Sequence, residues 1–362
     1  FGSNKRYAAF WSLGGSWNLH HEPFFNNHRQ IDMLRVRASM GSTGDDRFNT
    51  NQAITTYQYY TSSSFHGLTG SNLISYGNPD LTWQQGIKKN IGFDITMFNK
   101  RLQVTGNLYN ETTKALLLDV NTPPSVGVSS YKDNMGKLQN NGFELNTNVT
   151  LIQQPKQDFF LTAFLNIAHN KKKIVEIANS LQRINAAGDS MTNNKQTRPQ
   201  NRYVEGYSTD VFWGVRSLGI DPSTGREMFL TADNQLTYTW SPKDKVIIGD
   251  PTGGVFGNFG TSVRYKGFSL LLGFNYQFGI DKYNQTLADR VENLDLTWQG
   301  DKRVLYDRWK KPGDVTFFKG LADENGYTVT TPTNVTSRFI QKDNYINFQS
   351  ISLGYELPAR IT

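Results

Sequence analysis

The chain has no cysteine, which removes disulfides, thiolate nucleophiles and most zinc sites at once. Histidine is scarce as well, with five in 362 residues. The one adjacent pair, His20-His21, projects to opposite sides of an extended chain, so it reads as turn residues and not as a metal site. Long apolar runs are also missing. None approaches the ~20 residues that a membrane-spanning helix needs, and only 37% of the residues are apolar. A β-barrel stays open, because strands that alternate lipid-facing with lumen-facing residues average to a polar composition. Charge is sparse: 19% of residues are charged against a typical ~25%. The 38 Lys and Arg against 31 Asp and Glu are scattered apart from Lys171-Lys172-Lys173, so there is no nucleic-acid footprint. That triplet reads as a solvated strand end, with a lipid-headgroup contact as the alternative. There is no Gly-x-Ser-x-Gly elbow. The Gly249-Asp250-Pro251-Thr252-Gly253-Gly254 run lacks a following Gly-Lys-Ser/Thr and leads into a strand, so it is not a phosphate cradle. Neither an enzyme nor a cofactor is expected.

What the sequence does hold is aromatic and glycine-rich, with 23 Phe, 17 Tyr and 32 Gly, a mix that favours β-structure. Its clearest stretch is 255–278. Phe259, Thr261, Val263 and Tyr265 alternate with Gly260, Ser262, Arg264 and Lys266, and Phe268, Leu270, Leu272, Phe274, Tyr276 and Phe278 alternate with smaller or polar residues. This period of two predicts a hairpin, with a turn at Lys266-Gly267 where glycine supplies a positive φ. Further strands are predicted at about 7–19, 34–41, 90–97, 101–118, 135–152, 158–169 and 342–357. In the last of these Ile346 and Phe348 fall on one phase and Ile351, Leu353, Tyr355 and Leu357 on the other, so a bulge near Gln349-Ser350 is needed to restore one apolar face.

The connections take turns. Those at 99–100, 153–157 and 266–267 are tight, whereas 43–80, 171–254 and 281–338 run to tens of residues without a usable period. A soluble sandwich has no reason for that alternation, but a bacterial outer-membrane barrel keeps every second connection short, on its periplasmic side. The expectation is therefore an all-β, transmembrane antiparallel β-barrel with long extracellular loops and short periplasmic turns. The count of nine strands is odd, whereas such barrels close with an even number. Either a strand hides in 171–254, where 211–219 and 227–230 look extended, or the chain begins and ends inside a larger barrel; the second reading is preferred. The opening Phe1-Gly2-Ser3-Asn4-Lys5-Arg6 has no apolar leader and runs into a strand, as a start within a longer polypeptide would.

Several stretches resemble the SusC-like (SusC/RagA) family of TonB-dependent outer-membrane transporters of Bacteroidota: RYAAFWSLGGSWNLHHEPF at the start, NPDLTWQ at 78–84, DNMGKLQNNGFEL at 133–145, GVRSLGIDPSTG at 214–225, IIGDPTGGVFGNFGTSVRYKGFSLLLGFNYQFG at 247–279, the DRW-KKPGD run at 307–314 and SRFIQKDNYINFQSISLGYELP at 337–358. The resemblance implies that residues 1–362 are the C-terminal part of a barrel of about 22 strands, with the plug domain, TonB box and final strands outside this chain. It also implies TonB-energised import of oligosaccharides or oligopeptides, and a SusD-like surface lipoprotein as lid. Two other readings of the residues stay open here, a passive outer-membrane channel and a soluble β-rich glycan-binding module.

The long connections carry Tyr57, Tyr59, Tyr60, Tyr203, Tyr207, Phe212, Trp213, Tyr238, Trp240, Trp298 and Trp309. Aromatics at that density either pack the loops against one another or meet a partner. Tyr207, Trp213 and Trp240 are expected to contact the ligand, with Arg202 as a polar contact. Asp221-Pro222-Ser223-Thr224-Gly225 has the chemistry of a β-turn in an external loop.

Overall fold

A computed structural model describes residues 9–25, 30–45, 53–121, 127–128, 130–134, 136–177, 185–186, 197–294, 299–321 and 332–357. Trp298 and the predicted start of the first strand at 7–8 lie outside the described residues. Taken in order, the strands are β1 (Trp11–Asn18), β2 (Ile31–Asp45), β3 (Thr56–Phe65), β4 (Leu68–Ser75), β5 (Gln84–Met97), β6 (Leu102–Lys114), β7 (Leu117–Asn121), β8 (Ser130–Asn134), β9 (Lys137–Gln154) and β10 (Phe159–Glu176). They continue as β11 (Phe212–Ile220), β12 (Glu227–Leu230), β13 (Leu236–Thr237), β14 (Lys245–Gly249), β15 (Val255–Tyr265), β16 (Phe268–Phe278), β17 (Asp281–Tyr283), β18 (Ile340–Lys342) and β19 (Tyr345–Tyr355).

Nine of them form one sheet in the order β1-β2-β5-β6-β9-β10-β15-β16-β19, an antiparallel meander in which each strand pairs with the next along the wall. These are the nine strands that the alternation predicts. The stretches 211–219 and 227–230 are extended, as they looked, but they belong to β11 and β12 in a separate four-stranded sheet and add nothing to the wall.

The register divides the wall into two faces. Asn18, Arg35, Asp94, Thr105, Asn146, Asn166, Asn258, Asn275 and Asn347 are successive cross-strand partners. They make an unbroken polar row across all nine strands, and the Asn166 amide donates to Asn258 Oδ1 at 2.7 Å. Because side chains alternate, the next row belongs to the opposite face. There Leu34, Ile95, Val104, Thr147, Leu165, Phe259, Phe274 and Phe348 face the same way, and Phe259 stacks on Phe274 at 5.1 Å. Exposed Trp17, Ile91, Leu108, Ile346 and Ile351 continue that apolar face, as a lipid-facing surface requires.

The bulge expected in the last strand is present. Gly273 pairs with Ser350 and Phe274 with Phe348, which leaves Gln349 as the extra residue and returns Ile346, Phe348, Ile351, Leu353 and Tyr355 to one face. Tyr276 lies on the predicted apolar face, but its ring crosses Gly257 and its hydroxyl donates to the Asn166 carbonyl at 3.0 Å, so it is buried.

The short connections between neighbouring strands of the wall all lie at one rim. At Lys266-Gly267 both φ angles are positive, +48° and +81°. The turn is pinned across the rim by Asp158, whose carbonyl accepts from Lys266 N at 3.2 Å. At the same rim His20 Nδ1 contacts the Leu34 carbonyl at 3.1 Å, consistent with a turn residue.

The opposite rim carries the long connections, and here the structure corrects the picture of aperiodic polar loops. Segment 43–80 contains the β3–β4 hairpin, and the last turns of 115–136 form β7–β8. Within 177–254 and 279–344, β11–β14 and β17–β18 build a cap with a core of its own: Tyr283, Leu287, Ala288, Val291, Val304, Phe318, Val335 and Phe339, packed by Phe212 and Ile248. Inside this cap Arg338 donates to Glu227 at 2.8 Å and to Glu292 at 2.6 Å, with all three side chains at most 5% exposed. Burial works against the Arg338 charge, but the two carboxylates outweigh it and raise the guanidinium's pKa. The predicted turn at 221–225 closes the β11–β12 hairpin. Gly225 N donates to the Asp221 carbonyl at 2.8 Å, while Asp221 Oδ1 accepts from Ser223 and Oδ2 from Thr224 and Tyr238. Those hydrogen bonds hold the Asp221 carboxyl down at about 2.

Candidate functional site

Segment 201–211 enters the cap from the end of β10 and is fastened to it. Ile174 N donates to the Tyr207 carbonyl and Gly206 N to the Ile174 carbonyl, each at 2.8 Å. Gly206 takes φ +87° to make the reversal, a backbone conformation open to glycine at no steric cost. Lys172, on the polar face of β10, lies 3.6 Å from Asp210, so the segment leans over the polar side of the wall. The lysine triplet thus lies within β10, short of its last residue, as a strand end with one member paired.

This attachment sets three of the four expected ligand residues together. The Tyr207 and Trp213 rings meet edge to face at 5.9 Å, and the Arg202 guanidinium lies over the Trp213 ring at 5.5 Å. Tyr207 is half exposed, at 48%, while Trp213, the first-turn neighbour of Phe212 on β11, has its indole N–H buried without a hydrogen-bond partner among the described residues. The group offers an aromatic face, a phenol and a cation beside the end of β10, on the polar side of the wall. Such a surface stacks on sugar rings or on planar peptide and side-chain groups.

Trp240 stands apart from the trio. Its indole N–H donates to the Val335 carbonyl at 3.1 Å and Lys245 lies over its ring at 5.7 Å, so it ties the two halves of the cap together. Two other loop aromatics likewise pack inward: Trp309 is 3% exposed and donates to the Pro222 carbonyl, and Phe212 contacts Tyr283; Tyr238 stays exposed while its hydroxyl donates to Asp221 at 2.8 Å. Tyr57 and Tyr59 of β3 remain exposed.

A charged group on the polar face of the wall was not singled out from the sequence. Arg35 Nε donates to Asp94 Oδ2 at 2.9 Å, Arg37 Nη2 donates to Asp94 Oδ1 at 3.3 Å and to Asn107 at 3.0 Å, and Thr105 donates to Asp94 at 3.1 Å. The signal was available in the alternation of β2, where Arg35 and Arg37 share the phase opposite Leu34 and Val36. Asp94 repeats it on the polar phase of β5.

The family model for TonB dependent receptor-like β-barrels matches residues 1–294. The curated TonB-dependent receptor P3 of Formosa agariphila is 26% identical over 99% of this chain and 36% of its own length. TonB-dependent receptor P26 of the same organism is 27% identical, again over 99% of this chain and 36% of its own. The chain therefore spans little more than a third of the relatives it matches. Among solved structures, the RagAB peptide importer in its 'closed-closed' state superposes with a TM-score of 0.80 at 23% identity, covering 100% of this chain and 38% of that one. The 'open-open' state gives 0.76 at 25% identity, with 100% and 37% covered. With the family pattern matched across most of its length, and its strands laid out as an antiparallel two-faced wall, this chain belongs to the TonB-dependent receptor β-barrel family.

Proposed function

We propose that the chain is part of a TonB-energised outer-membrane importer of large polar solutes, oligosaccharides or oligopeptides, acting as the SusC-like barrel beneath a SusD-like surface lipoprotein. The observation that carries this reading is the asymmetry of the wall. One face is apolar over nine strands, the other polar, and every elaborated connection rises from a single rim. In this reading the apolar face meets outer-membrane lipid, the short turns lie in the periplasm, and the cap and the Arg202–Tyr207–Trp213 group stand at the extracellular mouth, where cargo and lipoprotein arrive. TonB would act through a segment outside this chain. A passive channel accounts for the wall but not for membership of a TonB-dependent family, and a soluble module leaves the apolar face without a partner. The RagAB neighbours are peptide importers, which makes a mixture of oligopeptides the first cargo to assay.

The test uses the full-length transporter in its own outer membrane. Tyr207→Ala with Trp213→Ala should reduce uptake severalfold while the amount of folded barrel stays unchanged; undiminished uptake removes the group from the ligand path. A protease site inserted at 233–236, in the exposed turn between β12 and β13, should be cut on intact cells, and resistance there would reverse the sidedness.

A further inference from the structure

The polar face holds a depression of about 370 Å³ between β1, β2 and β5. Its lining comes from two adjacent cross-strand rows, Gly14–Ser39–Asn90 and Ser16–Arg37–Gly92. The small residues make the hollow. A Cβ on Gly92 would come within 2.6 Å of Asn107 Oδ1 and 3.0 Å of Arg37 Nη2, so glycine there is what lets the guanidinium lie across the strand.

Two observations say what the hollow takes. First, its charge is unbalanced: Arg35 and Arg37 converge on the single carboxylate of Asp94. Arg37 Nη2 donates to Asp94 and Asn107, while Nε, 3.0 Å from Asp94 Oδ2, is buried without a hydrogen bond and Nη1 makes none among the described residues. Second, Asn90 Oδ1 is buried with no hydrogen bond among the described residues, a costly state unless an incoming group supplies a donor. Ser16 and Ser39 add hydroxyls that donate or accept.

We propose that this depression is a carboxylate subsite. Arg37 Nη1 receives the carboxylate, and Asn90 Oδ1 accepts from an N–H or O–H next to that carboxylate in the same ligand. The chemistry fits a peptide C terminus, whose last amide N–H adjoins its carboxylate, and a sugar acid, whose hydroxyl does. It also fits an acidic side chain of the same polypeptide outside this chain. The proposal rests on the reading that the polar face lines the barrel interior.

The experiment uses purified full-length protein in detergent, titrated with N-acetylglycine and followed by ligand-observed NMR, with N-acetylglycinamide as the probe that lacks the charge. A solute site binds the acid saturably, ignores the amide, and loses at least about tenfold in affinity in R37Q, the loss of one charge-assisted hydrogen bond. N90A weakens binding while R37K retains part of it. If the carboxylate comes instead from the protein, the acid does not bind; carbodiimide treatment of R37K then joins position 37 to an acidic residue other than Asp94, found by peptide mapping. Unchanged affinity in R37Q overturns the proposal, as does the absence of both saturable binding and any such cross-link in protein that still shows a heat-modifiable folded band. These readouts need no transport, so failure of import with binding intact counts against the importer reading alone.

Discussion

Arg338→Met removes the guanidinium that donates to both Glu227 and Glu292, and its cost can be worked from the surroundings. The guanidinium makes four hydrogen bonds: two to Glu227 at 3.0 and 2.8 Å, one to Glu292 at 2.6 Å, and one to the Phe317 carbonyl at 2.5 Å. Methionine keeps the apolar contacts with Phe317 and Phe339, over whose rings Arg338 lies. What it cannot keep is the charge, and two carboxylates at 5% and 0% exposure lose the guanidinium that donates to both. Breaking a buried pair from one side costs about 3–5 kcal/mol, which raises the opened fraction of the cap by roughly two to four orders of magnitude. Hydrogen exchange read by mass spectrometry on the full-length protein should show faster exchange around Tyr283, Val291 and Phe339, with β15 and β16 unchanged. The triple variant E227M/E292M/R338M should recover most of the protection, because replacing an entire buried ionic group by apolar residues of similar size is near neutral. Exchange in R338M within about threefold of wild type, or a triple variant as open as the single one, would refute the assignment of the cap's stability to this triad.

Leu272→Arg on the apolar face, between Thr261 and Ile351, should cost ~2–4 kcal/mol in the bilayer, whereas Asn275→Arg, between Asn258 and Asn347, should be mild; equal shifts in the urea midpoint of the folded band would contradict the facing. Deleting Gln349 should be tolerated, since it converts the bulge into a regular ladder with the same residues on each face. Deleting Ser352, by contrast, throws Leu353 and Tyr355 onto the polar side and should abolish the folded band. The Asp221 carboxyl, at about 2 in the folded cap against an ordinary 3.8, contributes stability that is fully present above the unfolded value and lost as pH falls from about 4 to about 2. Pepsin cleavage near 221–225 should therefore rise across that window in wild type, and D221N should flatten the rise; a wild-type profile with no step would remove the carboxylate from the account.

The wall was legible because burial there has a period. In β15 and β16 every second residue meets the apolar side, and even the phase slip in β19 signalled a bulge near Gln349-Ser350, which the register places at Gln349. The turn at 99–100 was located but not its extent or conformation: Phe98, Asn99 and Lys100 all take positive φ, and only Asn99 favours that region. The cap was not legible. Its core residues Phe212, Tyr283, Val304, Val335 and Phe339 are scattered over more than a hundred positions with no common repeat, and Glu227, Glu292 and Arg338 meet only in the fold. A loop tryptophan looks the same in sequence whether it is buried, as Trp309 is, or set under a guanidinium, as Trp213 is. The four expected ligand residues were chosen from density of aromatics, and three of them adjoin; nothing local could have shown that Trp240 spans the cap's two halves.

Because the cap draws Glu227 and Phe212 from before β15 and Glu292, Arg338 and Phe339 from after β16, its formation has an order in time. Closing contacts across a chain separation of this length is slow, and pairing β15 with β16 brings the two halves nearer and lowers the entropy cost of their meeting. During assembly Phe212 and Val215 therefore spend time without their eventual partners, the period in which an unfolded precursor is most prone to aggregate. A completed cap is thus a late event, and its protection from exchange would report that segments on either side of the β15–β16 hairpin have met.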